Sequence, residues 1–130
     1  MIPYLVDALL SGRTPALTSG EQLWDYLYVD DAAEALRMLV ATPAASGFYV
    51  LGSGEARPIR AIAELIRDRI DPALPLEFGE KPDARSLLAD VSKLVSDTGW
   101  APRTPLAEGI AEMIAWHRAR LDASTSRTGP

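Results

Sequence analysis

A chain of 130 residues with 48% hydrophobic content and no cysteine is long enough for one domain with its own core, and excludes disulfides and thiolate metal centres. Its net charge of −5, with Lys and Arg dispersed among acids, argues against general nucleic-acid affinity, which needs clustered cations to neutralise phosphate. The start, Met1 to Asp7, lacks the basic region of a secretory signal and is interrupted by Pro3, and no apolar run approaches the roughly 20 residues that span a bilayer; a cytoplasmic protein without membrane contact is expected.

Pro3 suits the first turn of a helix and Gly12 its end, and Leu5, Val6, Leu9 and Leu10 form an apolar stripe between them, so a helix is expected over about 3–11. A connector follows, with a short strand around Ala16 to Thr18. From Leu23 to Val29 the side chains alternate, Leu23, Asp25, Leu27 and Val29 against Trp24, Tyr26 and Tyr28, which is the period of a strand. Asp31 stands three residues before Glu34, the spacing of a capping box, and opens a helix ending near Thr42-Pro43.

Phe48 to Leu51 is apolar at every position and closes on Gly52-Ser-Gly54; Ile59, Ile62, Ala63, Ile66 and Ile70 then recur at helical spacing behind Pro58. A fully apolar strand belongs inside a sheet covered on both faces, so strand–helix–strand–helix points to part of a larger parallel α/β sheet. Asp71-Pro72 breaks the helix, and Leu76 and Phe78 alternate as a short strand. A polar loop, 81–84, leads to a second short strand through Leu87 and Leu88. Asp90 caps a helix that Gly99 stops, and Thr104-Pro105 opens a last helix with Leu106, Ile110, Met113, Ile114 and Leu121 on its buried face. The small, polar tail, 122–130, is expected to be disordered.

Candidate chemistry is sparse. Gly52-Ser-Gly54 between a strand and a helix invites a phosphate-loop reading, but the third glycine of the dinucleotide fingerprint would fall at Arg57, and a structural turn is the better account. Asp30 and Asp31 read as capping residues, since no further acid or His completes a metal or acid–base site. His117 is the only histidine, with no linked Ser or Cys, and is expected at a surface or helix end. Trp24, Tyr26 and Tyr28 could stack on a base or sugar, or pack within a sheet.

Four segments carry a family resemblance. Trp24-Asp-Tyr-Leu-Tyr-Val-Asp-Asp31 resembles the Arg-Asp-Phe-Ile-Tyr-Val-Asp-Asp segment in the second half of extended short-chain dehydrogenases, the NAD(P)-dependent nucleotide-sugar epimerases, dehydratases and reductases. The likeness continues in order through Phe48-Tyr-Val-Leu-Gly-Ser-Gly54, Leu88-Ala-Asp-Val-Ser-Lys-Leu94 and Gly99-Trp-Ala-Pro-Arg-Thr-Pro-Leu-Ala-Glu-Gly109. It implies an α/β fold, the edge of a partial Rossmann-like parallel sheet plus a small α+β substrate-binding lobe over residues 1–121, with the Rossmann cofactor half absent.

The resemblance also implies site residues. Where members have an Arg that meets the nucleotide diphosphate, this chain has Trp24, which can stack but cannot neutralise charge. Against the family's Arg-Pro-Gly-Asp-Val-Arg loop, counting back from Asp90, Arg85 matches the last Arg, Asp83 the Asp and Lys81 the first Arg, where Lys supplies a point charge in place of a bidentate fork. A solvated basic loop is the competing account of the same residues.

The family's Tyr-x-x-x-Lys and its Gly-x-x-Gly-x-x-Gly do not occur in this chain, so no catalytic residue, no metal and no cofactor of its own are expected, NAD or NADP belonging to the full-length family. The expected function is the nucleotide-sugar-binding portion of such a protein, inactive alone. The alternative is a non-catalytic partner or pseudoenzyme acting by protein–protein interaction. Expected partners are a nucleotide-diphosphate sugar and, through the strand edge, a Rossmann half or a second copy.

Overall fold

The computed structural model of the protein describes residues 1–80 and 85–125, which fall into two units. One unit comprises Met1–Glu21, Ile59–Asp83 and Ala107–Pro130. The other comprises Gln22–Pro58 and Ala84–Leu106.

The first unit is built on helices. In α1 (Ile2–Leu10) the stripe read from the sequence is buried as Ile2, Leu5, Val6 and Leu9, with Ala8 between them. It packs on α3 (Ile59–Ile70), whose Ile59, Ile62, Ala63 and Ile66 are buried. In α5 (Leu106–Thr125), Ile110 and Ile114 supply the buried face. Burying each Leu or Ile contributes about 1.5–3 kcal/mol, so these helices carry the larger apolar core. Two short strands, β1 (Ala16–Leu17) and β4 (Glu77–Phe78), pair in parallel, and Gly79 N–H extends the ladder to the Leu17 carbonyl at 2.9 Å. Arg60 ties this pair to α3: its guanidinium lies 3.7 Å from the centre of the Phe78 ring and donates to the Ser19 carbonyl at 2.8 Å.

The second unit has a smaller core. Ala35, Leu94 and Trp100 are buried, with Leu27, Met38, Leu39 and Tyr49 packed around them. Its strands β2 (Leu23–Asp25) and β3 (Ala56–Pro58) are antiparallel, with Trp24 opposite Arg57, and Leu87 bridges Trp24 in parallel. Helices α2 (Val29–Ala41) and α4 (Ser92–Thr98) contact one another. Gly99 ends α4 in the left-handed conformation, φ 70°, as its position predicts. Asp90 accepts the Ser92 N–H at 3.0 Å at the start of the same helix.

The mixed α/β class and a small parallel pairing are as expected. Several local expectations are overturned. The strand expected over 23–29 ends at Asp25, because its partner β3 is three residues long and the ladder stops with it. That partner, Ala56–Pro58, was not anticipated, since Pro58 reads as a helix start and does indeed precede Ile59 of α3 directly. No strand among the described residues pairs with Phe48 to Leu51, which therefore lacks the ladder that would make it a strand.

Asp31 is not a cap either. Tyr28 precedes α2 without a side-chain cap bond, Asp31 is buried and accepts the Thr104 N–H at 2.9 Å, and Glu34 instead pairs with Arg37. His117, expected at a surface or helix end, lies inside α5, is 7% exposed and meets the Asp7 carboxylate at 2.6 Å through Nδ1. Periodicity already puts it on the buried face, three residues after Ile114. Helix α5 runs to Thr125, so residues 122–125 of the tail expected to be disordered are helical, and 126–130 lie outside the described residues.

Candidate functional site

The Asp25 carboxylate organises the region in which Trp24 and Arg85 lie. Its Oδ1 accepts from Ser53 N–H at 2.7 Å and Ser53 Oγ at 2.6 Å, and its Oδ2 accepts from Gly54 N–H at 2.9 Å and Ala89 N–H at 3.3 Å. Hydrogen bonds to a charged acceptor contribute about 1.5–3 kcal/mol each when well formed, so a half-buried carboxylate with four donors is a strong anchor. Gly52 is needed beside it: a Cβ there would stand 2.2 Å from Ala89 Cβ and 2.9 Å from Asp25 Oδ2. The Gly52-Ser-Gly54 turn is therefore wrapped around a protein carboxylate. Its amides at Ser53 and Gly54 are committed to Asp25 and have no free N–H for a pyrophosphate, so the residues of this turn do not fit a dinucleotide cofactor.

The same anchor places the segment after the basic loop beside β2. Leu23 N–H donates to Ser86 Oγ at 2.9 Å, Leu87 N–H to the Leu23 carbonyl at 2.8 Å, and Asp25 N–H to the Leu87 carbonyl at 3.1 Å. Arg85, exposed, directly precedes this ladder, and Leu87 faces Trp24 within it. Trp24 and Arg85, 61 positions apart in the chain (85 minus 24), are thereby brought to one short patch of backbone pairing. Lys81 and Asp83 lie outside the described residues.

Trp24 is packed rather than open. Its ring is half-buried and stacks on Tyr26 with 6.1 Å between centroids, and its buried Nε1 finds no acceptor among the described residues. Burial also raises the Tyr26 hydroxyl above its ordinary pKa.

A second polar cluster joins the 46–49 segment to α4. Tyr49 OH donates to Asp97 Oδ2 at 2.8 Å and accepts the Ser46 N–H at 3.0 Å; Lys93 Nζ reaches the same Asp97 oxygen at 2.5 Å and lies 4.0 Å from the Tyr49 ring centre. The hydrogen bond from Lys93, then that from Tyr49, holds the Asp97 carboxyl below its ordinary range, and Asp97 in turn raises Lys93. With its ammonium held by a carboxylate, Lys93 braces the segment. No group of three His, Cys, Asp or Glu able to hold a metal occurs among the described residues. Nor is any helix among them long and apolar enough to cross a membrane.

Asp25 is the residue that sequence reasoning missed. A charged side chain on a strand flanked by Trp24 and Tyr26 was the available signal, because a carboxylate drawn out of water requires donors. Its donors lie 28 to 64 positions away and could not be named from spacing.

Comparison with known proteins agrees with this architecture. Residues 1–52 match the model of the NAD dependent epimerase/dehydratase family. The chain is 32% identical over 123 residues to a dTDP-glucose 4,6-dehydratase of Actinoplanes sp., covering 92% of this chain and 38% of that protein. It is 30% identical over 111 residues to a dTDP-L-rhamnose 4-epimerase of Burkholderia thailandensis, covering 83% of this chain and 31% of that protein.

Among solved structures, a UDP-N-acetylglucosamine 4-epimerase from Methanobrevibacter ruminantium, in complex with UDP-N-acetylmuramic acid, superposes with a TM-score of 0.80 at 27% identity, over 92% of this chain and 39% of that one. The epimerase Mth375 of Methanothermobacter thermautotrophicus shares the fold at a TM-score of 0.84 and 20% identity. Fold and sequence relate the chain to the NAD dependent epimerase/dehydratase family, as the second-half motifs of extended short-chain dehydrogenases imply. It spans 30–38% of the length of the curated relatives it matches.

Proposed function

We propose that this chain is the nucleotide-sugar-binding portion of an NAD(P)-dependent epimerase-, dehydratase- or reductase-like protein and that it does not turn over alone. The observation that carries the reading is the ladder through Leu23, Asp25 and Leu87, which Arg85 directly precedes and in which Leu87 faces Trp24. In this reading Arg85 takes the diphosphate through its guanidinium fork, and Lys81 adds charge from the same loop, with Asp83 between them. Trp24 forms an apolar wall beside the base or sugar. The relatives' names, a dTDP-glucose dehydratase and a UDP-N-acetylglucosamine epimerase, support a nucleoside-diphosphate sugar as the ligand class.

The test is an amide NMR titration with dTDP-glucose and UDP-glucose. Localised shifts at Trp24 and around Arg85 are expected, and Arg85→Ala should weaken binding by about 1–3 kcal/mol through loss of a charge-assisted bond. Peaks that do not move, or an Arg85→Ala chain that binds as tightly, would overturn it. Because Gly52-Ser-Gly54 is occupied by Asp25, NADH fluorescence should show no enhancement on adding the chain; saturable enhancement would count against the proposed division of labour.

A further inference from the structure

The two segments that flank β2 put an arginine on either side of Trp24. In the antiparallel register of β2 and β3, Arg57 stands directly opposite Trp24, and on the other edge Leu87 pairs with Trp24 in parallel. Residues paired across strands share one face of a sheet, and the side chains of an extended segment return to that face every second residue. Arg57, Trp24, Leu87 and the exposed Arg85 therefore belong to one face, and Asp25 to the other. There the Asp25 carboxylate takes the amides of Ser53 and Gly54, which lead into β3, and of Ala89, which follows Leu87. One side chain thus fixes the backbone on both sides of β2, and with it the positions from which the two arginines project. Two strand spacings, about 10 Å, separate those positions, within the combined reach of two arginine side chains.

The fold makes little use of Arg57. Among the described residues its guanidinium meets only Glu55, two positions back, at 3.2 Å, with the two side chains 57% and 73% exposed. An exposed ion pair of that kind adds little to stability. By contrast, in the same unit Arg37 is gripped by both oxygens of Glu34, and Lys93 is held by Asp97.

We propose that Arg57 is a second diphosphate-binding residue, which with Arg85 grips the ligand from both sides of Trp24, and that Glu55 sets the affinity by competing for the same guanidinium. The inference rests on the nucleotide-sugar reading above and adds to it a residue of β3, a strand remote in sequence from the basic loop. Trp24 cannot neutralise charge, so the cations of this face must come from its neighbours. A diphosphate divides its charge between two phosphoryl groups, and two guanidinium forks that approach from opposite strands take one group each. A monophosphate engages only one fork. To reach the ligand Arg57 must leave Glu55, whose carboxylate also repels the incoming anion.

The test titrates dTDP and UDP, each against its monophosphate, into the labelled chain and its variants by amide NMR. Arg57→Ala should weaken diphosphate binding by about tenfold or more, through loss of a charge-assisted bond, and should remove most of the preference over the monophosphate. Arg57→Lys, which keeps the charge without the fork, should fall between the two. Glu55→Gln should move the other way and tighten the diphosphate by up to about fivefold, a gain that a damaged fold does not give. The Ala89 and Thr104 amides, which report the Asp25 and Asp31 anchors, should keep their positions in all three variants. If Arg85→Ala weakens the diphosphate while Arg57→Ala leaves it unchanged, the second arginine is overturned and the nucleotide-sugar reading stands. Unchanged or weaker binding in Glu55→Gln would overturn the competition. If the unaltered chain binds neither diphosphate, both readings fall together.

Discussion

The two units are held together by different forces. In the first, α1 and α3 pack together with Leu5, Val6, Ile62 and Ile66 buried, α5 buries Ile110 and Ile114, and the exposed large apolar side chains of these helices are few and scattered, Tyr4 and Trp116 among them. In the second, three buried apolar residues form the core, and beside the backbone ladders carboxylates join the segments: Asp25 to Ser53, Gly54 and Ala89, Asp31 to Thr104, Asp97 to Tyr49 and Lys93. Its apolar surface is largely outside, at Val29, Leu36, Val40, Phe48 and Val50. Apolar burial is non-directional and tolerates local change, whereas a polar anchor depends on geometry and protonation. The second unit is therefore the part that depends more on its polar anchors.

That contrast can be broken at several points. The largest effect is expected from Leu5→Ala, which removes a fully buried side chain of α1 and should cost about 2–5 kcal/mol in urea unfolding. An effect below about 1 kcal/mol would mean that the helical core is loosely packed.

Next, Asp25→Ala strands four donors and should destabilise by about 2–3 kcal/mol, with amide shifts confined to Ser53, Gly54, Ala89 and their neighbours. Shifts spread over α1 and α3 would show that the anchor is not local to its unit. Because the ladder beside Leu87 presents Arg85, the same variant should weaken any nucleotide-sugar response there.

The smallest effect is one of pH. Asp97 and Asp90 both titrate below the ordinary carboxylate value of 3.8, Asp97 through hydrogen bonds from Lys93 and Tyr49 and Asp90 through Ser92. A depressed folded pKa stabilises the fold above the unfolded value, and that contribution is lost as pH falls through the folded one. Acidification below about pH 4 should loosen the start of α4 and the 46–49 segment first, read as faster exchange at Ser92 and Tyr49, while α1 and α3 keep their protection. Simultaneous loss in all four would erase the distinction between the units.

The helices of the first unit were legible because each reports its own environment: Leu5, Val6 and Leu9, or Ile59, Ile62, Ala63 and Ile66, repeat at the helical period and need only some apolar partner. Phe48 to Leu51 was legible as a strand by composition, yet a strand exists only through its ladder, and the partner is not among the described residues. Asp31 and Glu34 fit the local capping rule, but the buried Asp31 carboxylate went to Thr104, 73 positions on, and Glu34 to Arg37. His117 gave no local signal of its contact with Asp7, 110 positions away.

By itself, then, the amino-acid sequence indicated which segments are helical, the α/β class and, through four ordered motifs, a resemblance to extended short-chain dehydrogenases. Those properties depend on neighbours within a turn or two of chain, or on patterns read whole. Tertiary structure alone decided that Asp25 is the anchor, that Gly52-Ser-Gly54 wraps a carboxylate, that Arg85 comes to Trp24, and that Phe48 and Val40 remain bare. The reason is that a polar group drawn out of water takes whichever donor the fold brings within about 3 Å, and an apolar one whichever surface is left uncovered; neither distance is written in sequence separation.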